Sequence, residues 1–244
     1  MEQYYDYLKN IILNKYKVKY TFPIKNIKSV LVIAPHPDDE TLGCGGTISR
    51  LHQEGAKTTV VLMTDGSSGR KGRETSHIRA NEFAKATEII GFDEILTLSY
   101  PDGELLEHCS LAKVRMKKII DETSPDLIFT PYFLDLNKDH ISTNLIIKDA
   151  IADDDTYIAM YEIWTPILYP DCYINISDTF DKKLAAIECY QSQEAYYQIK
   201  DKSVTLNSLR AKLSMKRNIK FTEAFQLFST QDYIQIINSF YSGG

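Results

Sequence analysis

The stretch "LVIAPHPDDETLGCGGTI", residues 31–48, places an imidazole and three carboxylates directly after an apolar run. His36 can supply a neutral imidazole nitrogen, and Asp39 can bring a carboxylate oxygen to the same point across a tight turn. These residue types at this spacing indicate a metal site. Asp38 lies between the two ligands without being needed as one, which is the position of a general base beside a reacting water.

A third ligand is expected from another part of the chain, because a catalytic zinc usually has three protein ligands and one open position. The segment "YFLDLNKDHIST", residues 132–143, follows a second apolar run and carries His140 at the entry to a predicted helix. His36, Asp39 and His140 are therefore the candidate metal ligands. Two nitrogens and one oxygen suit Zn²⁺, and Fe²⁺ accepts the same set.

The glycines of the same stretch do not indicate a dinucleotide site. The letters "GCGGTI" put isoleucine where the G-x-G-x-x-G fingerprint needs its last glycine. The neighbouring carboxylates would also repel a pyrophosphate, so a bound metal explains the stretch better.

The elements that must position these residues alternate along the chain. Short apolar or β-branched runs are separated by segments with helical spacing, which predicts an α/β fold with a Rossmann-like, mostly parallel sheet flanked by helices. Ligands in such folds lie at the carboxyl ends of the strands, which is where residues 35–40 fall. The predicted strands of this first part cover residues 29–34, 57–64, 94–99 and 125–131.

The C-terminal part is predicted to add further strands and helices. Residues 156–166 and 173–177 have strand character, and residues 178–193 have a helical apolar face with Asp178 as the candidate N-cap. Residues 203–240 are predicted to form one or two more helices. We expect residues 1–27 to be an N-terminal helical extension and residues 28–240 to be a single domain.

Composition narrows the class of protein. A net charge of -5 without a basic stripe argues against nucleic acid as a partner. The chain has no run near the ~20 apolar residues of a membrane span and no secretory signal pattern, which predicts a cytoplasmic protein. Its four cysteines lie far apart, as expected of free thiols. A homo-oligomer is left open.

The motif "APHPDDETLGCGGTI" closely resembles the first signature of the LmbE-like, PIG-L-like family of zinc-dependent N-deacetylases. The resemblance extends over roughly residues 28–228. Further blocks that resemble the family are "TDGSSG", "IRANEFAKATEIIGF", "YPDGEL", "DLNKDH", "YEIWTP", "KKLAAIECYQSQ" and "TEAF".

This resemblance implies a function. It implies that His36, Asp39 and His140 bind zinc and that Asp38 is the catalytic base. It also implies that Arg79 points into the site to hold the substrate; pairing with a neighbouring glutamate on its helix is the alternative. The reaction would remove the acetyl group from an N-acetylated amino sugar of the N-acetylglucosamine type, nucleotide-linked or part of a glycoconjugate, releasing acetate and a free amine.

One position departs from the family pattern. Members often have a histidine three residues before the last ligand, and here that residue is Asn137. We expect Asn137 to contact the substrate as a hydrogen-bond donor. Asp135 is expected to orient His140 or to contact the substrate, with a turn-capping role as the alternative.

Two other functions stay open. One is a carbohydrate-binding or regulatory protein that keeps the fold with little or no catalysis, for which Asn137 is the only hint. The other is a zinc amidase that acts on a different amide.

Overall fold

The strands of this chain form one seven-stranded sheet. The computed structural model describes residues 19–23, 26–67, 73–151 and 156–241. The strands are β1 (Ser29–Ala34), β2 (Lys57–Thr64), β3 (Glu94–Tyr100), β4 (Leu127–Pro131), β5 (Tyr157–Tyr161), β6 (Cys172–Asn175) and β7 (Thr222–Ser229). They lie in the order β3-β2-β1-β4-β5-β7-β6. Strands β1 to β5 are parallel, and β7 is antiparallel to both of its neighbours. The prediction of a mostly parallel α/β sheet is confirmed.

Eight α-helices in the described residues cover the sheet. They are α1 (Asp39–Gln53), α2 (Arg73–Ile90), α3 (Cys109–Thr123), α4 (Lys138–Ala150), α5 (Phe180–Ile187), α6 (Gln191–Tyr197), α7 (Ile199–Leu213) and α8 (Thr230–Tyr241), with a short 3₁₀ helix at Leu105–His108. None of these described helices is long and apolar enough to span a membrane.

Both faces of the sheet are buried. Val30 and Val32 of β1 face a core that also contains side chains of α1, α2 and α5. Leu31 and Ile33 face a second core built with α3, α4 and α8. A strand buried on both sides has no polar face, which is why these segments are continuous apolar runs in the sequence.

The order of the strands creates a crevice beside β1. Strand β1 pairs with β2 on one side and with β4 on the other, so the chain crosses the sheet in opposite directions from this point. The loops that follow β1 and β4 therefore diverge and leave a cleft at the carboxyl ends of both strands. Both segments with predicted metal ligands start there.

The glycines of α1 serve close packing. A Cβ on Gly43 would lie 2.2 Å from Cδ2 of Tyr161, and one on Gly46 would lie 2.9 Å from Ile176. Tyr161 is fully buried and donates a hydrogen bond to the backbone oxygen of Ile33, 2.8 Å away. Helix α1 is thereby held against the sheet with its first turn at the cleft.

The prediction of only helices in residues 203–240 is wrong. Strand β7 occupies residues 222–229 between α7 and α8 and is buried over seven of its eight residues. A central strand needs apolar residues on both of its faces. In β7 the resulting pattern has the spacing of one face of a helix, at Ala224, Phe225, Leu227 and Phe228. Periodicity alone does not separate such a strand from a short helix.

Two smaller predictions also need correction. Asp178 is not the N-cap of α5: the helix begins at Phe180, and Thr179 occupies the cap position. Thr179 donates its hydroxyl to the backbone oxygen of Gly46, 2.8 Å away. The predicted helix over 178–193 is also interrupted, with α5 ending at Ile187 and α6 beginning at Gln191.

Most of the predicted N-terminal extension lies outside the described residues. Within residues 19–23 and 26–27 there is no helix: Lys19 forms a β-bridge with Cys172, and the ring of Phe22 packs on Phe129 and Phe225. The division into an extension over 1–27 and a domain over 28–240 stays a prediction. All four cysteines are free, as expected.

Candidate active site

The three predicted ligands meet at the cleft beside β1. His36 follows the end of β1, Asp39 begins α1, and His140 lies in the first turn of α4. Nδ1 of His36 is 3.1 Å from Oδ2 of Asp39 and 3.3 Å from Nε2 of His140. The same Asp39 oxygen is 3.2 Å from Nε2 of His140. Three donor atoms from two distant segments thus converge on one point.

This arrangement fits a tetrahedral metal ion. With metal–ligand bonds of about 2.0–2.2 Å, neighbouring donors of a tetrahedral zinc lie about 3.3–3.6 Å apart, close to the separations measured here. His36, Asp39 and His140 are all buried, so surface charge does not explain the cluster. The donor set is two imidazole nitrogens and one carboxylate oxygen, which Zn²⁺ and Fe²⁺ both accept.

The electrostatics of the three side chains favour positive charge at this point. Burial opposes ionisation of Asp39, but His140 and His36 together hold the pKa of its carboxyl far below the usual value. Burial disfavours the charged form of His140, yet Asp39 and Asp135 outweigh it and raise its pKa to about 9. The site is therefore arranged to stabilise a cation among its donor atoms.

Two further carboxylates orient His36. Its Nε2 lies 3.1 Å from Oδ2 of Asp139 and 3.4 Å from Oδ1 of Asp102. Asp139 also accepts hydrogen bonds from the backbone nitrogens of Gly103 and Leu105, at 2.7 and 3.2 Å. A proton on Nε2 leaves the lone pair on Nδ1, the atom that faces Asp39 and His140. Asp139 therefore favours the tautomer in which Nδ1 of His36 could bind a metal.

Asp139 and Asp102 were not among the residues predicted from the sequence. Asp139 immediately precedes His140, and Asp102 belongs to the "PDG" turn after β3. An acid beside a predicted ligand was a usable signal for Asp139. Asp102 lies in the block "YPDGEL" that resembles the family, but nothing in the sequence related it to His36.

Asp135 lies behind His140. Its Oδ1 is 3.6 Å from Nδ1 of His140, and its Oδ2 accepts from the backbone nitrogens of Trp164 and Thr165, at 2.9 and 3.3 Å. Burial opposes ionisation, but His140 and the backbone amides of Trp164 and Asn137 hold the pKa of Asp135 below its usual value. Asp135 is not among the residues lining the cavity described below, so this placement favours orientation of His140 over substrate contact.

Asp38 lies beside the candidate metal site and has a strained backbone. Its φ of 127° lies in the region that side chains other than glycine rarely adopt. Burial raises the pKa of its carboxyl to about 8, while the Arg79 guanidinium opposes that rise. A carboxyl near its protonation midpoint at neutral pH is suited to accept a proton and return it.

Arg79 points at Asp38 rather than along its own helix. One of its terminal nitrogens is 3.3 Å from Oδ2 of Asp38 and donates to the backbone oxygen of Pro37 at 2.7 Å. The alternative partner, Glu82, instead accepts from the backbone nitrogen and hydroxyl of Ser192. Arg79 thus lies in the cleft, as expected, and its role toward a substrate stays a prediction.

Glu40, the third acid of the motif, is a structural residue. It is fully buried, and its Oε1 accepts the hydroxyls of Tyr190 and Thr41, both at 2.5 Å. Its Oε2 accepts the backbone N–H of Asp38 at 3.2 Å. Glu40 therefore ties the strained backbone of Asp38 to the junction between α5 and α6.

A cavity of about 420 Å³ opens over the candidate metal site and is within the size range of small-molecule sites. Asn137 lines it and also caps α4, because its Oδ1 accepts the backbone N–H of Asp139 at 2.9 Å. The cap therefore uses Oδ1 of Asn137 and not its amide nitrogen. Further lining residues are Gly66, Thr75, Ile78, Trp164, Ser192, Gln193, Ala195, Tyr196 and Tyr197.

Comparison with known proteins identifies the family. The family model described as GlcNAc-PI de-N-acetylase, PIG-L, matches residues 31–151. The chain is 30% identical to a probable N-acetyl-alpha-D-glucosaminyl L-malate deacetylase 2 of Bacillus cereus, over 68% of this chain and 84% of that relative. The chain belongs to the PIG-L family, as its motifs predicted.

Other relatives extend the likeness to the whole domain. The chain is 28% identical to the diacetylchitobiose deacetylase of Thermococcus kodakarensis, over 75% of this chain and 76% of that protein. The crystal structure of N,N'-diacetylchitobiose deacetylase from Pyrococcus horikoshii superposes with a TM-score of 0.74 at 25% identity, covering 96% of this chain and 94% of that one.

One relative has a different reaction in its name. The 4-oxalmesaconate hydratase of Pseudomonas putida is 26% identical over 82% of this chain and 88% of the relative. Likeness along the domain therefore does not define the reaction by itself, and the site residues must be considered as well.

Proposed function

We propose that this protein is a metal-dependent N-deacetylase that removes the acetyl group from an N-acetylated amino sugar, releasing acetate and a free amine. The observation that carries the proposal is the convergence of three metal-type donors with the carboxyl of Asp38 at one end of a small-molecule cavity. Relatives named as deacetylases of N-acetylated sugars support it.

His36, Asp39 and His140 would hold the metal ion, with Zn²⁺ as the proposed metal. Once bound, the ion would supply a Lewis acid for the acetamide carbonyl and a more acidic water. Asp139 and Asp135 keep the two imidazoles oriented from behind. The cytoplasmic location inferred from the sequence also stays a prediction.

Asp38 is the proposed proton carrier. Its carboxylate takes a proton from the attacking water and returns it to the departing amine, two steps that need one group with a pKa near the working pH. Arg79 holds the side chain by its contact at 3.3 Å. The backbone of Asp38 is fixed by Glu40, so the carboxyl does not need to be ordered when the substrate binds.

Asn137 is the proposed donor to the oxygen of the acetyl group as negative charge develops on it. A single preorganised donor of this kind contributes about 3–4 kcal/mol to transition-state stabilisation. The helix-capping bond to Asp139 fixes the amide, which lets Asn137 serve where relatives of this pattern have histidine.

The test is acetate release from a panel of N-acetylglucosamine compounds: free, nucleotide-linked and glycoconjugate. The variants are Asp38→Asn, which keeps size and removes the base, and Asp121→Asn, a matched change on exposed α3. We expect release by the wild type and by Asp121→Asn, and a loss of at least about a hundredfold in Asp38→Asn with unchanged metal content. Release by Asp38→Asn near the wild-type rate would remove Asp38 as base. No release by metal-loaded wild type would favour another amide or a binding function.

A further inference from the structure

Helix α6 forms one wall of the cavity, and Tyr190 holds its start. Residues of this helix that line the cavity are Ser192, Gln193, Ala195, Tyr196 and Tyr197. Tyr190 comes directly before the helix, and its backbone oxygen accepts the N–H groups of Gln193 and Glu194 at 3.0 and 2.9 Å. The placement of this wall therefore depends on Tyr190.

The side chain of Tyr190 leads from this wall to the backbone of Asp38. Tyr190 is fully buried, and its hydroxyl donates to Oε1 of Glu40 at 2.5 Å. Oε2 of Glu40 accepts the backbone N–H of Asp38 at 3.2 Å. Glu40 has hydrogen-bond donors around it but no ion-pair partner among the described residues, so these bonds place its carboxylate. One hydroxyl thus connects the start of α6 to the residue with the strained backbone.

A second path joins the same turn of α6 to the carboxyl of Asp38. Glu82, on α2, accepts the backbone N–H and the hydroxyl of Ser192 at 2.8 and 2.6 Å. Arg79 lies three residues before Glu82 on that helix and is 3.3 Å from Oδ2 of Asp38. Helix α6 is therefore connected to both the backbone and the side chain of Asp38, by two separate sets of hydrogen bonds.

The conformation of Asp38 explains why its neighbours must hold it. A residue other than glycine with a φ of 127° persists only where the surrounding structure imposes that conformation. If the backbone N–H loses its fixed acceptor, the residue can relax and its carboxyl moves relative to the candidate metal site. A displacement of about 1 Å at a reacting group is enough to lower a rate by about 10²-fold.

We propose that Tyr190 is a positioning residue for Asp38, so that the first turn of α6 both forms a wall of the cavity and holds the proton carrier in place. The proposal rests on the proposed deacetylase function and adds to it a residue that lies outside the metal-binding motifs. It follows that the wall and the base are one structural unit.

The experiment removes the hydroxyl of Tyr190 and keeps its ring, in Tyr190→Phe. The matched control is Tyr20→Phe, which also loses a buried-side hydroxyl bond, here to the backbone oxygen of Ser214 at 2.6 Å, but does not line the cavity. Acetate release from N-acetylglucosamine compounds, the affinity for Zn²⁺ and the melting temperature are measured for wild type and both variants.

We expect kcat of Tyr190→Phe to fall about 10- to 100-fold, with KM and the affinity for Zn²⁺ within about twofold of wild type. The control should keep the wild-type kcat even if its melting temperature falls. A general loss of structure would lower the melting temperature and the metal-loaded fraction instead, and would not separate kcat from KM in this way.

A double-mutant cycle with Asp38→Asn tests whether Tyr190 acts through Asp38. Adding Tyr190→Phe to Asp38→Asn should leave the residual rate nearly unchanged, because the group that Tyr190 positions is already gone. A loss by the same factor in both backgrounds would overturn the positioning role. Ser192→Ala, which cuts the hydroxyl bond to Glu82, replaces Tyr190→Phe in the cycle if that variant does not fold, and the same outcomes apply.

A kcat within about twofold of wild type in the tested variant also overturns the positioning role, while leaving the deacetylase function intact. Absence of acetate from the metal-loaded wild type over the whole panel would remove the deacetylase function itself. The two failures are therefore distinguishable.

Discussion

Replacing Asp139 by asparagine tests whether the carboxylate behind His36 sets the strength of metal binding. Three N–H donors converge on its two oxygens: Nε2 of His36, and the backbone nitrogens of Gly103 and Leu105, at 3.1, 2.7 and 3.2 Å. An asparagine offers one oxygen, and its NH₂ group must face at least one of these donors. The variant therefore loses a charge-assisted bond and gains a donor–donor conflict.

The expected magnitude follows from those contacts. His36 and Gly103 share Oδ2 of Asp139, and Leu105 contacts Oδ1. If the amide oxygen replaces Oδ2, His36 keeps only a neutral acceptor and the NH₂ group faces the N–H of Leu105. If it replaces Oδ1, the NH₂ group faces His36 and favours the tautomer with its proton on Nδ1, which cannot bind metal through that atom. Losing a partner of this kind costs about 10- to 100-fold in metal affinity, or about 1.4–2.8 kcal/mol. The size of Asn matches Asp, so the packing around His36 should be retained.

The assay is competition for Zn²⁺ between the protein and a chelating indicator, for wild type, Asp139→Asn and the exposed control Asp121→Asn. We expect at least tenfold weaker binding in Asp139→Asn and no change in the control. The melting temperature of the metal-free proteins reports separately on the bonds to Gly103 and Leu105. Affinity within twofold of wild type, with folding intact, would refute the role of the Asp139 carboxylate in supporting His36.

Two further changes probe other positions. Asn137→Asp keeps an acceptor for the cap of α4 but removes the N–H donors, so the melting temperature should change little while kcat of the metal-saturated enzyme falls about 10²–10³-fold; a loss under tenfold contradicts the donor role. Burial raises the pKa of Asp171 to about 6, above its value of about 3.9 in the unfolded chain. The stability that this carboxyl contributes should therefore fall, by order of 2–3 kcal/mol, as pH rises from about 4 to 6. Asp171→Asn still accepts the backbone N–H of Leu227 and should lack that decline when unfolding curves are measured over a pH series. If the free energy of unfolding changes with pH in the same way in the variant and the wild type, the prediction is wrong.

The convergence of the three candidate ligands was predictable because the motif and the topology agree. His36 and Asp39 are three residues apart, so local geometry alone brings them together. His140 could be added because it follows another strand of the same parallel sheet, and the structure places that strand, β4, directly beside β1. The ends of these two adjacent strands, at the point where the strand order reverses, bring Nε2 of His140 to 3.3 Å from Nδ1 of His36.

The residues behind the ligands were harder to predict, because their contacts depend on how loops pack. Asp102 reaches His36 from the turn after β3, two strands away from β1, and no spacing in the sequence relates the two. Strand β7 was missed because it is buried on both faces. That strand carries Glu223, whose carboxylate accepts from the backbone nitrogens of Gly46 and Thr47 in α1, at 3.0 and 2.8 Å.

The candidate metal ligands and the outer lining of the cavity come from different parts of this fold. The candidate ligands lie at strand ends and in the first turns of α1 and α4, within short motifs. The outer lining comes from α2, the loop after β5 and α6, through Ile78, Trp164, Tyr196 and Tyr197, which no single motif contains. A relative named as a hydratase and a relative named as a deacetylase are both similar to this chain over three quarters of its length or more, so likeness of the framework does not fix the substrate or the reaction. The lining residues are therefore a better guide to what this chain binds than its overall likeness to any single relative.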